Sequence, residues 1–306
     1  MLKTMCVLAA LVTLASACAT TPVPVDRAAR PRTHKAEIES WRQDRLSSLT
    51  SETGWLTLTA LYPLEAGAYS LGSSPEADLA LPAEAPATVG TLQVDDEAVS
   101  FEPAPDVTVT VNGEAFNSPA SAFGDDGGAI LFDVGSVNFF VIKRGDVRLL
   151  RVRDRDHPER SSFAGIESFP IDPAFRFRAR FEAYEPVKQI PVANIIGIVS
   201  DSPSWGAVVF EHDGETYRID ALAEPGDDEL FLIFGDSTSG RETYGAGRYL
   251  YVDAPDSEGR VVLDFNKAYN PPCAFTPFAT CPLPPRQNRL GLSIAAGEKN
   301  YVTDGH

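Results

Sequence analysis

Residues Phe175 to Glu182 read Phe-Arg-Phe-Arg-Ala-Arg-Phe-Glu, and this alternation decides the fold class. Successive side chains of a strand point to opposite faces. Phe175, Phe177, Ala179 and Phe181 therefore form one apolar row, and Arg176, Arg178, Arg180 and Glu182 the opposite one. A helix would scatter both sets around its axis. The stretch reads as a half-buried strand. Its basic row is either a solvated face or a wall for an anion in an otherwise acidic protein.

The same period extends both ways. Upstream, Asn138 to Lys143 and Val147 to Val152 flank a turn at Arg144-Gly145-Asp146 and predict a hairpin. Alternation then places Arg151, Arg153 and Arg155 on one face. Downstream, Asn194 to Val199 reads as a buried strand. Ala207 to His212 and Glu215 to Asp220 flank Asp213-Gly214, a hairpin turn signal. Glu229 to Phe234 and Gly247 to Val252 predict further strands. Only Glu37 to Thr50 predicts a helix, with Ile38, Trp41, Arg45, Leu46 and Leu49 at helical spacing and Gly54 beyond its end. The expected fold is mostly β. An N-terminal helix and a β-sandwich (36–145) precede a second β-rich domain (146–306), packed as one two-part unit.

Within the first part, Tyr69 to Pro82 (YSLGSSPEADLALP) is followed by short strands at Val89–Val94, Val99–Phe101 and Val107–Gly113. This order resembles a forkhead-associated (FHA) sandwich. Ser73 stands where that family's phosphate-reading Arg would be, and Gly90-Thr91-Leu92-Gln93 replaces its Ser-x-x-His segment. The resemblance implies an FHA-like scaffold without phosphothreonine readout.

The 306 residues are 43% hydrophobic, enough for real cores, and carry a formal net charge of −17. That charge repels phosphates and argues against nucleic acid as a partner. Met1 to Ala17 (1–17) reads as a signal peptide, with Lys3, an apolar run from Met5 to Leu14 and small residues at Ala15-Ser16-Ala17. The run is too short to span a bilayer. Ala15-Ser16-Ala17-Cys18 resembles a bacterial lipobox, which would attach lipid to Cys18 and so bind a membrane. Residues 18–35 would be the tether. The protein is expected to be exported and lipid-anchored in the cell envelope, on the periplasmic side. In an oxidising compartment Cys273 and Cys281 would pair as a disulfide or pack as thiols. Zinc would need four ligands, and His34, His157, His212 and His306 are scattered, so no metal is expected. Cys-x-x-Cys is absent. Walker, GxGxxG, GxSxG and HExxH patterns are absent too, and no cofactor is expected.

The segments FGDSTSGRETYGAGRYL (234–250), VVLDFNKAYNPPCAFTPFATCPLPPRQNRL (261–290) and AGEKNY (296–301) resemble a bacterial and archaeal family, number 1684 among the domains of unknown function. The resemblance extends from about Trp41 to Tyr301. It implies a shared architecture and a site near the C-terminal motif, and it carries no activity. The candidate ligand-binding residues are Asp236, Thr238, Tyr244, Arg248, Asp264, Asn266, Tyr269, Asn270, Asn288 and Arg289. A strand-end carboxylate such as Asp264 or Asp236 could serve as a general base. Asp and Asn equally cap loops by accepting backbone N–H groups. Arg248 and Arg289 could pair with Asp236, Asp264 or Glu298, or clamp a ligand carboxylate. If these side chains share one open pocket, the protein binds a small polar or anionic ligand there. A hydrolase-like enzyme and a protein-docking scaffold built on the sandwich are the alternatives.

Overall fold

The computed structural model describes residues 33–116 and 118–301. The segment expected as a signal peptide, the expected lipidation site Cys18, most of the expected tether and His306 lie outside the described residues. Helix α1 spans His34–Leu49. Thr33 caps it, its Oγ1 accepting the Ala36 N–H at 3.3 Å, which sets the start earlier than the expected Glu37. His34 and Lys35 therefore belong to the helix and not to the tether.

The first β unit contains eleven strands. They are β1 (Leu58–Leu64), β2 (Gly67–Gly72), β3 (Leu79–Ala80), β4 (Gly90–Val94), β5 (Val99–Pro103), β6 (Val109–Val111), β7 (Glu114–Phe116), β8 (Ala120–Ser121), β9 (Phe132–Val134), β10 (Val137–Arg144) and β11 (Val147–Asp154). One sheet runs β1-β11-β10-β9-β6-β7 and the other β3-β2-β4-β5-β8. Alternate residues of both sheets face a shared core. Phe101, Phe132 and Phe139 fill its middle with ring centroids 5.0–5.4 Å apart, within the range favoured by aromatic pairs. The division expected at 145/146 falls inside the β10–β11 hairpin. Its strands pair without a break from Val137–Asp154 to Arg144–Val147, so the first sheet runs on to Asp154.

A short helix α2 (Pro158–Ser162) leads into the second unit: β12 (Arg176–Ala193), β13 (Val199–His212), β14 (Glu215–Ala221), β15 (Glu229–Phe234), β16 (Arg248–Asp253) and β17 (Arg260–Asp264). One sheet runs β14-β13-β12-β17, and β15 pairs with β16. The Phe-Arg alternation behaves as expected. Phe177 and Phe181 face the core while Arg176, Arg178 and Arg180 are exposed. Phe177, Phe210, Phe234 and Phe265 cluster with ring centroids 4.8–5.9 Å apart. Asp213 (φ 51°) and Gly214 (φ 80°) turn β13 into β14, the left-handed pair that a two-residue hairpin demands.

Trp55–Thr57 is a 3₁₀ turn ahead of β1. One local expectation changes. Asn194 to Val199 is not a buried strand but the tip of the β12–β13 hairpin, with Ile195, Ile196 and Val199 exposed. Asn194 Oδ1 accepts the N–H groups of Ile196 and Ile198 and Gly197 has φ 86°. This turn chemistry overrides the apolar run.

Candidate functional site

The ten residues expected to line one pocket do not share a cavity; they form separate polar clusters, most of them closed. Asp236 and Arg248 are an ion pair with both side chains fully buried, Arg248 Nη2 donating to Asp236 Oδ2 at 2.8 Å. The same guanidinium donates to the carbonyls of Ile294 (2.9 Å) and Ala296 (2.5 Å). Burial lowers the Arg248 pKa, opposed by Asp236. The other Asp236 oxygen accepts from Thr238 N–H and Oγ1 (2.8 and 2.5 Å), and Thr243 donates to Thr238 at 2.8 Å. Asn288 bridges β14 and β15: it accepts the Asp220 N–H and donates to the Asp220 and Ile233 carbonyls. Tyr244 donates to the Cys273 carbonyl at 3.2 Å, and burial raises its pKa. Arg289, expected as a clamp, is exposed beside Gly235. These groups hold loops together.

The other candidates meet helix α1, which lies over the C-terminal motif. His34 Nε2 lies 2.6 Å from Asp264 Oδ2; an ionised carboxylate can only accept, so the imidazole donates. Asp264 Oδ1 accepts from both nitrogens of Asn266, and Asn266 also pairs with both backbone groups of Asp172. One turn along α1, Glu37 binds Lys267 at 2.6 Å, and that bond is the main reason its pKa is lowered. Trp41 packs on Tyr269 (6.3 Å between centroids). Arg45 lies over the Tyr269 ring at 4.7 Å and donates to Glu298 Oε1 (3.1 Å) and the Asn270 carbonyl (2.9 Å). The Asn270 N–H donates to Glu298 Oε2 at 2.7 Å. Burial raises the Glu298 pKa, opposed by Arg45. Burial also raises that of Tyr269. Gly297 (φ 78°) precedes Glu298, and a Cβ there would meet the Ala268 carbonyl at 2.4 Å, so only glycine fits.

A groove of about 240 Å³ opens between α1 and the edge strands, lined among others by Glu37, Trp41, Arg176, Tyr251, Asp264 and Lys267. Of the ten candidates only Asp264 reaches it. Arg176 pairs in register with Asp264 across β12–β17. Its guanidinium stays 3.9 Å from Asp264 and 3.7 Å from Glu37, too long for hydrogen bonds. A second hollow, of about 200 Å³, lies on the other side of α1 against Arg42, Arg45 and Glu298. The roles of His34, Glu37 and Lys267 were not read from the sequence. Trp41 and Arg45, four apart on the helix, were the visible sign that one face of α1 meets aromatic and acidic partners. Among the described residues no cluster of His, Cys, Asp and Glu could hold a metal.

Cys273 and Cys281 form a disulfide with Cα atoms 6.1 Å apart, and the Cys273 N–H points at Cys281 Sγ (3.1 Å). The loop between them carries Phe275, which packs on Leu49 and Leu56. Closing so short a loop restrains the unfolded chain by about 2.5 kcal/mol. Cys273→Ser should therefore lower the denaturant midpoint by an equivalent amount in non-reducing buffer. In dithiothreitol the wild type should converge on the variant.

The fold and site define a two-part β protein whose N-terminal helix is pinned across a polar C-terminal motif. Through residues 161–299 the chain belongs to the family described as Protein of unknown function (DUF1684). A solution NMR structure of an uncharacterized protein of Haloarcula marismortui is 32% identical, covering 46% of this chain and 80% of that one, with a TM-score of 0.39. No curated protein matches the sequence.

Proposed function

We propose that the protein is an envelope-located binding module that takes a small polar ligand bearing an anionic group in the groove beside α1. The observation that carries this reading is Arg176. It is partly exposed in the groove, and it makes only long contacts with Glu37 and Asp264. A guanidinium fork left unbonded matches a carboxylate or phosphate bidentately. Trp41 and Tyr251 supply flanking rings; Lys267 is held by Glu37 at 2.6 Å and Glu229 and Asp253 line the same groove, so Arg176 is the unbonded cation among its lining residues. The fork belongs to the basic row of β12, read from the sequence as a possible anion wall; Arg180, further along that row, is instead bonded to Glu182.

The test is a thermal-shift screen of the mature protein against small carboxylates and phosphates, followed by calorimetry on any hit. Arg176→Ala should weaken binding at least tenfold, about 1.4 kcal/mol, while Arg180→Ala leaves it unchanged. A panel with no stabilising member, or one whose every hit is indifferent to Arg176→Ala, overturns the reading.

The disulfide supports the export half of the proposal, since such bonds persist in oxidising compartments. Radiolabelled fatty acid should label the wild type and not Cys18→Ser. Two further readings remain as alternatives. The His34–Asp264 pair favours a hydrolase-like one, with the imidazole as base and the carboxylate orienting it; turnover of model esters lost in His34→Gln would carry it. A docking role for the FHA-like sandwich has less behind it. Among the described residues only Val147 of the large exposed apolar side chains lies on that unit.

A further inference from the structure

The outer face of the six-stranded sheet carries an arrangement that the groove does not use. Phe139, Val141, Leu150 and Val152 face the sandwich core. Their neighbours Asn138, Phe140, Arg144, Arg151 and Arg153 face outward, with Asn138 opposite Arg153 and Phe140 opposite Arg151. Arg151 is only 4% exposed. Its Nε and Nη2 have no hydrogen-bond partner, and the same is true of Arg153 Nε, Asn138 Oδ1 and Thr59 Oγ1. Thr59 bulges out of β1 beside this pair of strands.

Buried charges in proteins are paired, because a lone ion forfeits its hydration without return. Burial first, and then Arg144 and Arg153, both of its own sign, bring the Arg151 pKa down to about 10. It stays charged at neutral pH. The rings of Trp55 (5.4 Å) and Phe140 (6.0 Å) lie near its guanidinium, and Phe140 lies 4.9 Å from that of Arg153. Such contacts only partly replace a counter-ion. Arg144 donates through Nε to Thr280 Oγ1 at 2.9 Å, so this face abuts the disulfide loop. Three arginines converge in a chain of net charge −17, with several donors unused.

We propose that Arg151, Arg153 and Arg144 form a site for a small oxyanion of the phosphate or carboxylate class, seated between the sandwich and the disulfide loop. Arg151 presents Nε and Nη2 and Arg153 presents Nε, while half-buried Arg153 marks the side open to solvent. The site goes beyond the groove reading and shares no residue with it.

The test uses the mature protein, titrated separately with inorganic phosphate, sulfate and acetate, each against sodium chloride at matched ionic strength. Thermal shift and ³¹P line broadening are the readouts. At least one oxyanion should give a saturable rise in Tm beyond the chloride control. Phosphate and sulfate acting without acetate would assign a tetrahedral ligand, and acetate acting alone a carboxylate. In the Arg176→Ala background, which silences the groove, Arg151→Met should abolish the response, and Arg151→Met alone should melt higher than the wild type in anion-free buffer, where the wild-type cation is unpaired. Should Arg151→Met fail to fold, Arg153→Gln decides: affinity should fall at least tenfold. Arg176→Ala should leave the response intact, which separates this site from the groove. No response in the wild type, or one that Arg151→Met or Arg153→Gln leaves unchanged in that background, overturns the proposal.

Discussion

Replacing Asp236 with Ala should destabilise the protein by about 3–5 kcal/mol, the range seen when one partner of a buried ion pair is removed. Arg248 cannot escape to water, because its side chain is fully buried among Ile294, Ala296 and Asp236. Its Nε already lacks a partner, so losing the carboxylate leaves a cation with carbonyl dipoles alone. Domains of this kind are stable by only about 5–15 kcal/mol, and the loss would be visible as a large fall in the urea midpoint. The double variant Asp236→Leu/Arg248→Met should recover much of the deficit, since it removes both charges and keeps apolar volume. A loss below about 1 kcal/mol in Asp236→Ala would mean that the carbonyls alone hold the guanidinium.

Arg45→Ala should lower stability by about 3 kcal/mol at neutral pH, again by stranding a buried charge. The effect reaches three elements at once, because Arg45 joins α1 to Glu298, to the Asn270 carbonyl and to the Tyr269 ring. The pH dependence has a definite sign. Burial holds the Glu298 carboxyl above its ordinary value of 4.5, so the folded state keeps that proton more tightly than the unfolded chain. For that group, stability falls as pH rises from about 4.5 through the higher folded value. Arg45→Ala removes the main opposing charge and should deepen this fall. The variant's deficit in urea melts should be smaller at pH 5 than at pH 8. A deficit independent of pH would assign the role of Arg45 to packing. Glu298→Gln should restore part of the stability of Arg45→Ala, since a neutral amide needs no counter-ion.

Strands were legible in the sequence because their period is short and local. Phe175 to Glu182 needs only its own eight residues to declare two faces, and Asp213-Gly214 declares a turn in two. The Asn194 to Val199 run misled because a short apolar stretch has no direction of its own, and the deciding signals were its single Asn and Gly. The C-terminal motif was legible as a concentration of Asp, Asn, Thr and Arg but not as a set of partners. Asp236 and Arg248 are 12 residues apart, whereas His34 and Asp264 are 230 apart and Arg45 and Glu298 are 253 apart. No periodicity links such distant positions. A density of hydrogen-bonding side chains therefore marked a self-bonded scaffold, while the open groove draws largely on residues of α1, β12 and β16 outside the motif.

The long reach of α1 also sets an order of events in folding. Contacts across more than 200 residues form late, after loop-closure entropy has been overcome. A chain that crosses a membrane unfolded, amino end first, would present α1 long before Glu298 emerges. On the proposed export route its latch could close only once Glu298 has cleared the translocation channel.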